Sequence, residues 1–348
     1  MKLSGDLISR FLMFGFGKMR VPALVEFSMR DRLLTIGCVA AAALVVAHAQ
    51  QQPPAFGTTT RTVAVYATVT DAQGRLAPDL TRDHFEVDDN GVKQDLTVFS
   101  NDLQPITAIM LLDRSGSMKP NLELEVRAAE TFIRGMLAED RLRIGNFGQN
   151  IVIEPDDFTS DRDALFKVLH GDLQKDGPTP LWNAIDRAID KLLLEKSRRV
   201  VLALSDGVDE PLDFSGHAKS MKDEMKRAED DDIMIYAIGM EGLAPMAQPR
   251  GSQGFGGIMP QRRNEPAMQK PDEGMAKIAA ATGGGYVELT SLSDLLGKFD
   301  RVIDELHHQY ALGFVPQKLD GKLHDLTVKV NRPGYTVHAR RRYLAPRR

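Results

Sequence analysis

Residues Ile106 to Leu112 read ITAIMLL, an apolar run broken only by Thr107. A strand with one solvated face alternates polar and apolar side chains. A run without alternation fits a strand covered on both faces, as in the middle of a parallel sheet with helices above and below. Directly after it come Asp113, Ser115 and Ser117, spaced two apart, so a loop leaving the carboxyl end of the strand can turn three oxygens toward one point. Gly116 relaxes the backbone between the two hydroxyls, and Asn121 to Ala138 reads as the helix that follows.

Two further segments suit the same place. Gly177-Pro178-Thr179-Pro180 precedes a helix-like stretch, Leu181 to Glu195, and offers the Thr179 hydroxyl. Val200 to Leu204 is a second apolar run and ends in Ser205-Asp206-Gly207. Every one of these oxygens lies at a strand end or a helix start, where open α/β sheets place their ligands. Taken singly, each is an ordinary turn or cap residue, since Asp, Ser and Thr favour such positions for local reasons. Taken together they outline a cation site of oxygen donors only, which suits a hard ion: Mg²⁺ first, with Mn²⁺ or Ca²⁺ as alternatives.

The order Asp-x-Ser-x-Ser, then Thr in a second loop, then Asp in a third, resembles the metal-ion-dependent adhesion site of von Willebrand factor type A domains. The matching positions are Asp113, Ser115, Ser117, Thr179 and Asp206. The resemblance implies that Ser115 and Ser117 bind the ion directly, Thr179 directly or through water, and Asp113 and Asp206 mostly through water. From Val63 onward the chain also resembles the VWFA-related domain family grouped in acidobacteria. Stretches such as Asp83-His84-Phe85-Glu86-Val87 and Gln309-Tyr310-Ala311-Leu312-Gly313-Phe314 carry that likeness. These are less specific than the ligand pattern, and they bring no defined activity.

The 348 residues suggest about two domains. The fold class expected is α/β: a doubly wound, mostly parallel sheet over 105–308, with strand and helix alternating throughout. Its strands are placed near Arg141 to Phe147, Ile151 to Ile153, Arg199 to Leu204, Ile233 to Gly239 and Gly285 to Glu288. Flanking it, residues 61–104 and 309–345 hold short alternating segments. Arg61 to Thr70 alternates cleanly, and Phe85 to Val87 with Leu96 to Phe99 reads as a hairpin around Asn90-Gly91. Neither flank has enough strands to be stable alone, so the two together are expected to form one small β-sandwich with the α/β domain inserted between them. Met240 to Pro271 interrupts the alternation with Gly, Pro, Gln, Met and Arg, and it lacks the Lys-Ser or Lys-Thr of a phosphate loop.

Ahead of these, Met29-Arg30-Asp31-Arg32, the apolar run Leu33 to Val46 and Ala47-His48-Ala49 have the layout of a secretory signal peptide within 1–49. Its apolar run is shorter than the ~20 residues of a spanning helix. The extension before it points to a start at Met19 or Met29, and Gln50 to Thr60 reads as a linker. The one cysteine, Cys38, falls in the segment to be removed, which excludes disulfides and thiol chemistry from the mature chain. The expected product is exported: periplasmic, held at the cell surface or secreted. A net charge of −4 gives no argument for nucleic acid, and Arg340-Arg341-Arg342 with Arg347 and Arg348 reads as a solvated terminal strand.

The function expected is capture of a protein ligand whose Asp or Glu carboxylate completes the coordination of the divalent ion. The alternatives are a metal-dependent hydrolase and a structural envelope protein stabilised by its metal. A hydrolase needs a base beside the metal. His170, His307 and His308 read as surface or capping residues, and Asp209, Glu210 and Asp213 read as a solvated acidic loop rather than a second ion site.

Overall fold

The computed structural model describes residues 62–210, 218–243 and 268–347, except the side chains of Leu292 and Leu296. The signal segment, the linker, Asp213, Arg348 and most of the 240–271 interruption lie outside the described residues.

In chain order the strands are β1 (Val63–Thr70), β2 (Phe85–Asp89), β3 (Val92–Gln94), β4 (Leu96–Ser100), β5 (Thr107–Asp113), β6 (Arg141–Phe147), β7 (Ile151–Thr159), β8 (Arg199–Ser205) and β9 (Met234–Met240). There follow the two-residue β10 (Gly242–Leu243) and β11 (Met268–Gln269), then β12 (Tyr286–Leu289), β13 (Tyr310–Phe314), β14 (Leu323–Val330), β15 (Thr336–Ala339) and β16 (Arg342–Leu344). The helices are α1 (Leu122–Gly135), α2 (Arg162–Leu169), α3 (Leu181–Leu192), α4 (Met221–Asp230), α5 (Glu273–Thr282) and α6 (Leu292–His307).

A six-stranded sheet, ordered β12-β9-β8-β5-β6-β7, forms the centre; it is parallel throughout except for β7. All of β5 is buried, and its period of two divides it between two cores. Ala108, Met110 and Leu112 pack with α1, α2 and α6, while Ile109 and Leu111 pack with α3, α4 and α5. Such double coverage is why the run carries no alternation. The strand expected at Ile151 to Ile153 continues to Thr159. It is the sheet edge, where Pro155 and the exposed Asp156 and Asp157 are tolerated because no further strand needs their backbone.

Two four-stranded antiparallel sheets, β15-β1-β13-β4 and β16-β14-β2-β3, share a third core. Each combines strands from both flanks: β1 pairs with β13 from Val63↔Phe314 to Ala67↔Tyr310, and β2 pairs with β14. Phe85 meets Phe99 and Tyr310 across the two sheets, with ring centroids 5.8 and 4.7 Å apart. One expectation is corrected here. The Asn90-Gly91 hairpin joins β2 to β3, whereas Leu96–Ser100 crosses to the other sheet and pairs with β13. Of the arginines expected to be solvated, Arg341 and Arg347 are exposed, whereas Arg340 reaches Asp232 and the Ala64 carbonyl, and Arg342 pairs with the buried Glu229 at 2.8 Å.

Candidate metal centre

β5 ends in Asp113, the 3₁₀ turn Gly116–Asn121 follows, and α1 starts at Leu122. Asp113 accepts the Ser115 N–H (3.0 Å) on Oδ1 and the Ser205 hydroxyl on Oδ2. The Ser115 and Ser117 hydroxyls are 3.2 Å apart, so the two-residue spacing does converge, and Ser117 in turn hydrogen-bonds the Asp206 carboxylate. Asp206 follows β8, the neighbour of β5 in the sheet, and its Oδ1 accepts the Val208 N–H at 3.1 Å. Hydrogen bonds thus link Asp113 to Ser115, Ser115 to Ser117 and Ser117 to Asp206, while the Ser205 hydroxyl donates to Asp113 and accepts the Gly207 N–H at 2.9 Å.

Thr179 is held beside these groups by its backbone. Gly116 N–H donates to the Gly177 carbonyl at 3.0 Å, and the Thr179 carbonyl accepts from Glu210 at 2.7 Å. The second loop is therefore tied to both the first and the third. Gly177 has φ +140°, and a Cβ there would lie 2.5 Å from the Gln149 nitrogen, so only glycine brings this loop so close.

Four of these groups are shut off from water, Asp113 being 0% exposed, Ser115 1%, Asp206 2% and Thr179 4%, while Ser117 is half-buried. Burial pushes the Asp113 carboxyl up to about 7, with Asp206 adding to the rise, and burial raises Asp206 as well. Among the described residues neither carboxylate has an ion pair. Two carboxylates and three hydroxyls suit a hard divalent ion, because the charge deficit is one that such an ion corrects. Among the described residues no group of three or more His, Cys, Asp or Glu is placed to hold a metal ion.

Behind the ligands lies support that sequence reading did not single out. Glu125, fully buried on α1, accepts the Asp113 N–H at 2.9 Å and pairs with Arg114 at 3.2 Å. Arg114 also donates from Nε to the Gln174 carbonyl, 2.8 Å away. Burial, with Asp113 next, holds Glu125 well above the usual carboxylate range. Glu125 looks in the sequence like any first-turn acid of a helix, and nothing local marks it.

The groups weighed as bases lie elsewhere. His307 is corrected from surface to core, its Nε2 being 2.8 Å from Asp140 Oδ2 at the opposite end of β5. His170 caps α2 and meets Glu130 at 2.8 Å, and His308 bonds the Asp304 carbonyl. Asp209 is not a free acid of a solvated loop: its Oδ1 accepts the Trp182 N–H at 3.3 Å at the start of α3, and burial raises its pKa.

Residues 108–208 match the von Willebrand factor type A domain family, a span that contains Asp113, Ser115, Ser117, Thr179 and Asp206. The chain carries a von Willebrand factor type A domain. Solved structures similar to this VWA chain include the conserved hypothetical protein BatB from Bacteroides thetaiotaomicron, with 19% identity, a TM-score of 0.41, and coverage of 57% of this chain and 98% of that one. Another is a von Willebrand factor type A protein from Catenulispora acidiphila, at 11% identity and TM-score 0.45, covering 84% of this chain and 76% of that one. A third is proximal thread matrix protein 1 from the mussel byssus, whose MIDAS motif is occupied by zinc. It is 14% identical with a TM-score of 0.43, covering 60% of this chain and 49% of that one. No curated protein matches the chain in sequence.

Proposed function

We propose that this VWA protein is exported and captures a protein ligand through a divalent cation, Mg²⁺ by preference, held by Asp113, Ser115, Ser117, Thr179 and Asp206. One observation carries the reading: two buried carboxylates share a hydroxyl-lined site, and among the described residues no cationic side chain pairs with either. A buried carboxylate without a counter-charge is costly to ionise, and a bound cation removes that cost. When bound, the ion supplies a Lewis-acidic position that a partner's Asp or Glu carboxylate fills. The protein's part is to keep the ion electrophilic. Its hydroxyls are neutral, and Asp113 is already engaged by the Ser115 N–H and the Ser205 hydroxyl.

Export is supported by the layout of Met29 to Ala49 in the sequence. Among the described residues no helix is long and apolar enough to cross a membrane. The test uses immobilised full chain and synthetic peptides ending in a free or an amidated acidic residue. Capture of the free-acid peptide in Mg²⁺, lost with EDTA and lost in Ser115→Ala/Ser117→Ala, is the expected result. Equal capture of the amidated peptide, or capture that persists in EDTA, would count against it.

A further inference from the structure

Between the end of β9 and β10 the chain passes directly over the third ligand. An ideal Cβ built on Gly242 would lie 2.0 Å from Asp206 Oδ2, 2.8 Å from its Cγ and 2.9 Å from its Cβ. All three of its nearest atoms belong to Asp206. Position 242 has no positive φ, so the demand here is for space and not for an unusual backbone. Around it the backbone is pinned on two sides. The Glu241 carbonyl accepts the Asn121 side-chain N–H at 2.6 Å, and Asn121 closes the turn that carries Ser117. The Asp206 carbonyl accepts the Asp272 N–H at 2.8 Å, and Asp272 caps α5 through a 2.7 Å bond from Gly274 N–H. Beyond Gly242, β10 pairs with β11, Gly242 opposite Gln269 and Leu243 opposite Met268.

We propose that Gly242 is a positioning residue of the cation site. One oxygen of Asp206 is placed by hydrogen bonding to Val208 N–H, the other by contact with a backbone that has no side chain to spare. The β10–β11 ribbon, the first ligand loop and the third ligand are thereby one mechanical unit, tied through Asn121 and Asp272. A shift of the ribbon is registered at Asp206. The inference rests on the cation-site reading and deepens it, by adding to the five ligands a residue that touches no ion.

The experiment titrates Mn²⁺ into the full chain, reading free Mn²⁺ by electron paramagnetic resonance, in the wild type, Gly242→Ala and Asn121→Ala. Moving a group that orients a ligand costs about 10–100-fold in metal affinity, and that is the loss expected for Gly242→Ala. Asn121→Ala, which removes one tether, should weaken binding about fivefold, the worth of one neutral hydrogen bond. A second readout separates positioning from general packing: the melting temperature without cation, in the presence and absence of Asp206→Ala. Because the atom 2.0 Å away is then gone, Gly242→Ala should cost far less in the Asp206→Ala background than in the wild type. If Gly242→Ala alone does not fold, the double variant must still fold, with only the smaller loss set by the Asp206 Cβ that remains 2.9 Å away. Wild-type affinity in Gly242→Ala, or an equal melting-temperature loss in both backgrounds, overturns the proposal while leaving the cation site intact. Absence of Mn²⁺ binding in the wild type removes the site reading and this inference together.

Discussion

The two ends of β5 each hold a buried aspartate, and the two are wired in opposite ways. At the entry, Asp140 accepts the Ile106 N–H at 2.9 Å and the Leu137 N–H at 2.7 Å, and meets His307 at 2.8 Å. Beside it the buried Arg198 donates to the Leu306 carbonyl and to Gln309 Oε1, stacks over the Tyr66 ring, and has its pKa lowered by burial to about 10. Gln309 continues to Thr68 on β1, 2.8 Å away. At the exit, among the described residues, Asp113 and Asp206 meet only N–H and hydroxyl donors. Burial is equal, so burial alone does not mark function. The difference is whether the chain supplies its own counter-charge: at the entry it does, clamping the end of α6 to the start of β13, and at the exit, among the described residues, no cationic side chain pairs with either carboxylate, which is the feature the proposed cation would answer.

The same substitution at both ends should therefore have opposite effects. Asp140→Asn sets an amide N–H against N–H donors at a buried site and is expected to cost about 3 kcal/mol, read by urea denaturation and unchanged by Mg²⁺. Asp113→Asn removes an unpaired buried charge. In EDTA at pH 8 it should raise stability by about 1–2 kcal/mol while abolishing any stabilisation by cation. Destabilisation by both substitutions in EDTA would erase the distinction drawn between the two ends.

Another buried carboxylate sharpens the comparison. Among the described residues Glu224 on α4 has an Oε2 with no hydrogen-bond partner, and burial, with Asp186 next, pushes its carboxyl from an ordinary 4.5 to about 7. Its folded pKa lies above the unfolded one, so it costs nothing where both states are protonated, and the cost grows as pH rises from about 4.5 to 7. Glu224→Gln should match the wild type near pH 4 and exceed it by about 1–2 kcal/mol at pH 8. Unlike Asp113→Asn it should leave the cation response untouched, and thermal melts across that pH range with and without Mg²⁺ check both halves. Smallest of all, Lys119→Ala breaks an exposed 2.8 Å pair with Asp176 near the site and should change stability by no more than about 0.5 kcal/mol.

What the sequence made legible follows the range of the interactions. β5, the Asp-x-Ser-x-Ser turn and the strand ending at Asp206 each carry their signal within a few residues, as an apolar run or a fixed spacing. The alternation of strand and helix was equally local, and the doubly wound sheet follows from it. Features that depend on distant partners left no such trace. The change of sheet at Asp95 is set by β4 pairing with β13, more than two hundred residues on. His307 reads as a helix-end histidine until Asp140 is brought against it. Ser205 stands beside Asp206 in the sequence, yet its hydroxyl joins Asp113 to the Gly207 N–H only because β8 lies next to β5. Gly242 matters because of what passes beneath it, and no spacing encodes that.

The central claim is that the five residues at the exit end of β5 hold a divalent cation, and calorimetric titration of Mn²⁺ into the full chain addresses it most directly. One saturable site in the wild type, lost in Ser115→Ala/Ser117→Ala and kept in Asp140→Asn, is the predicted result. Binding of equal affinity and stoichiometry in the double serine variant would contradict it and place the ion elsewhere.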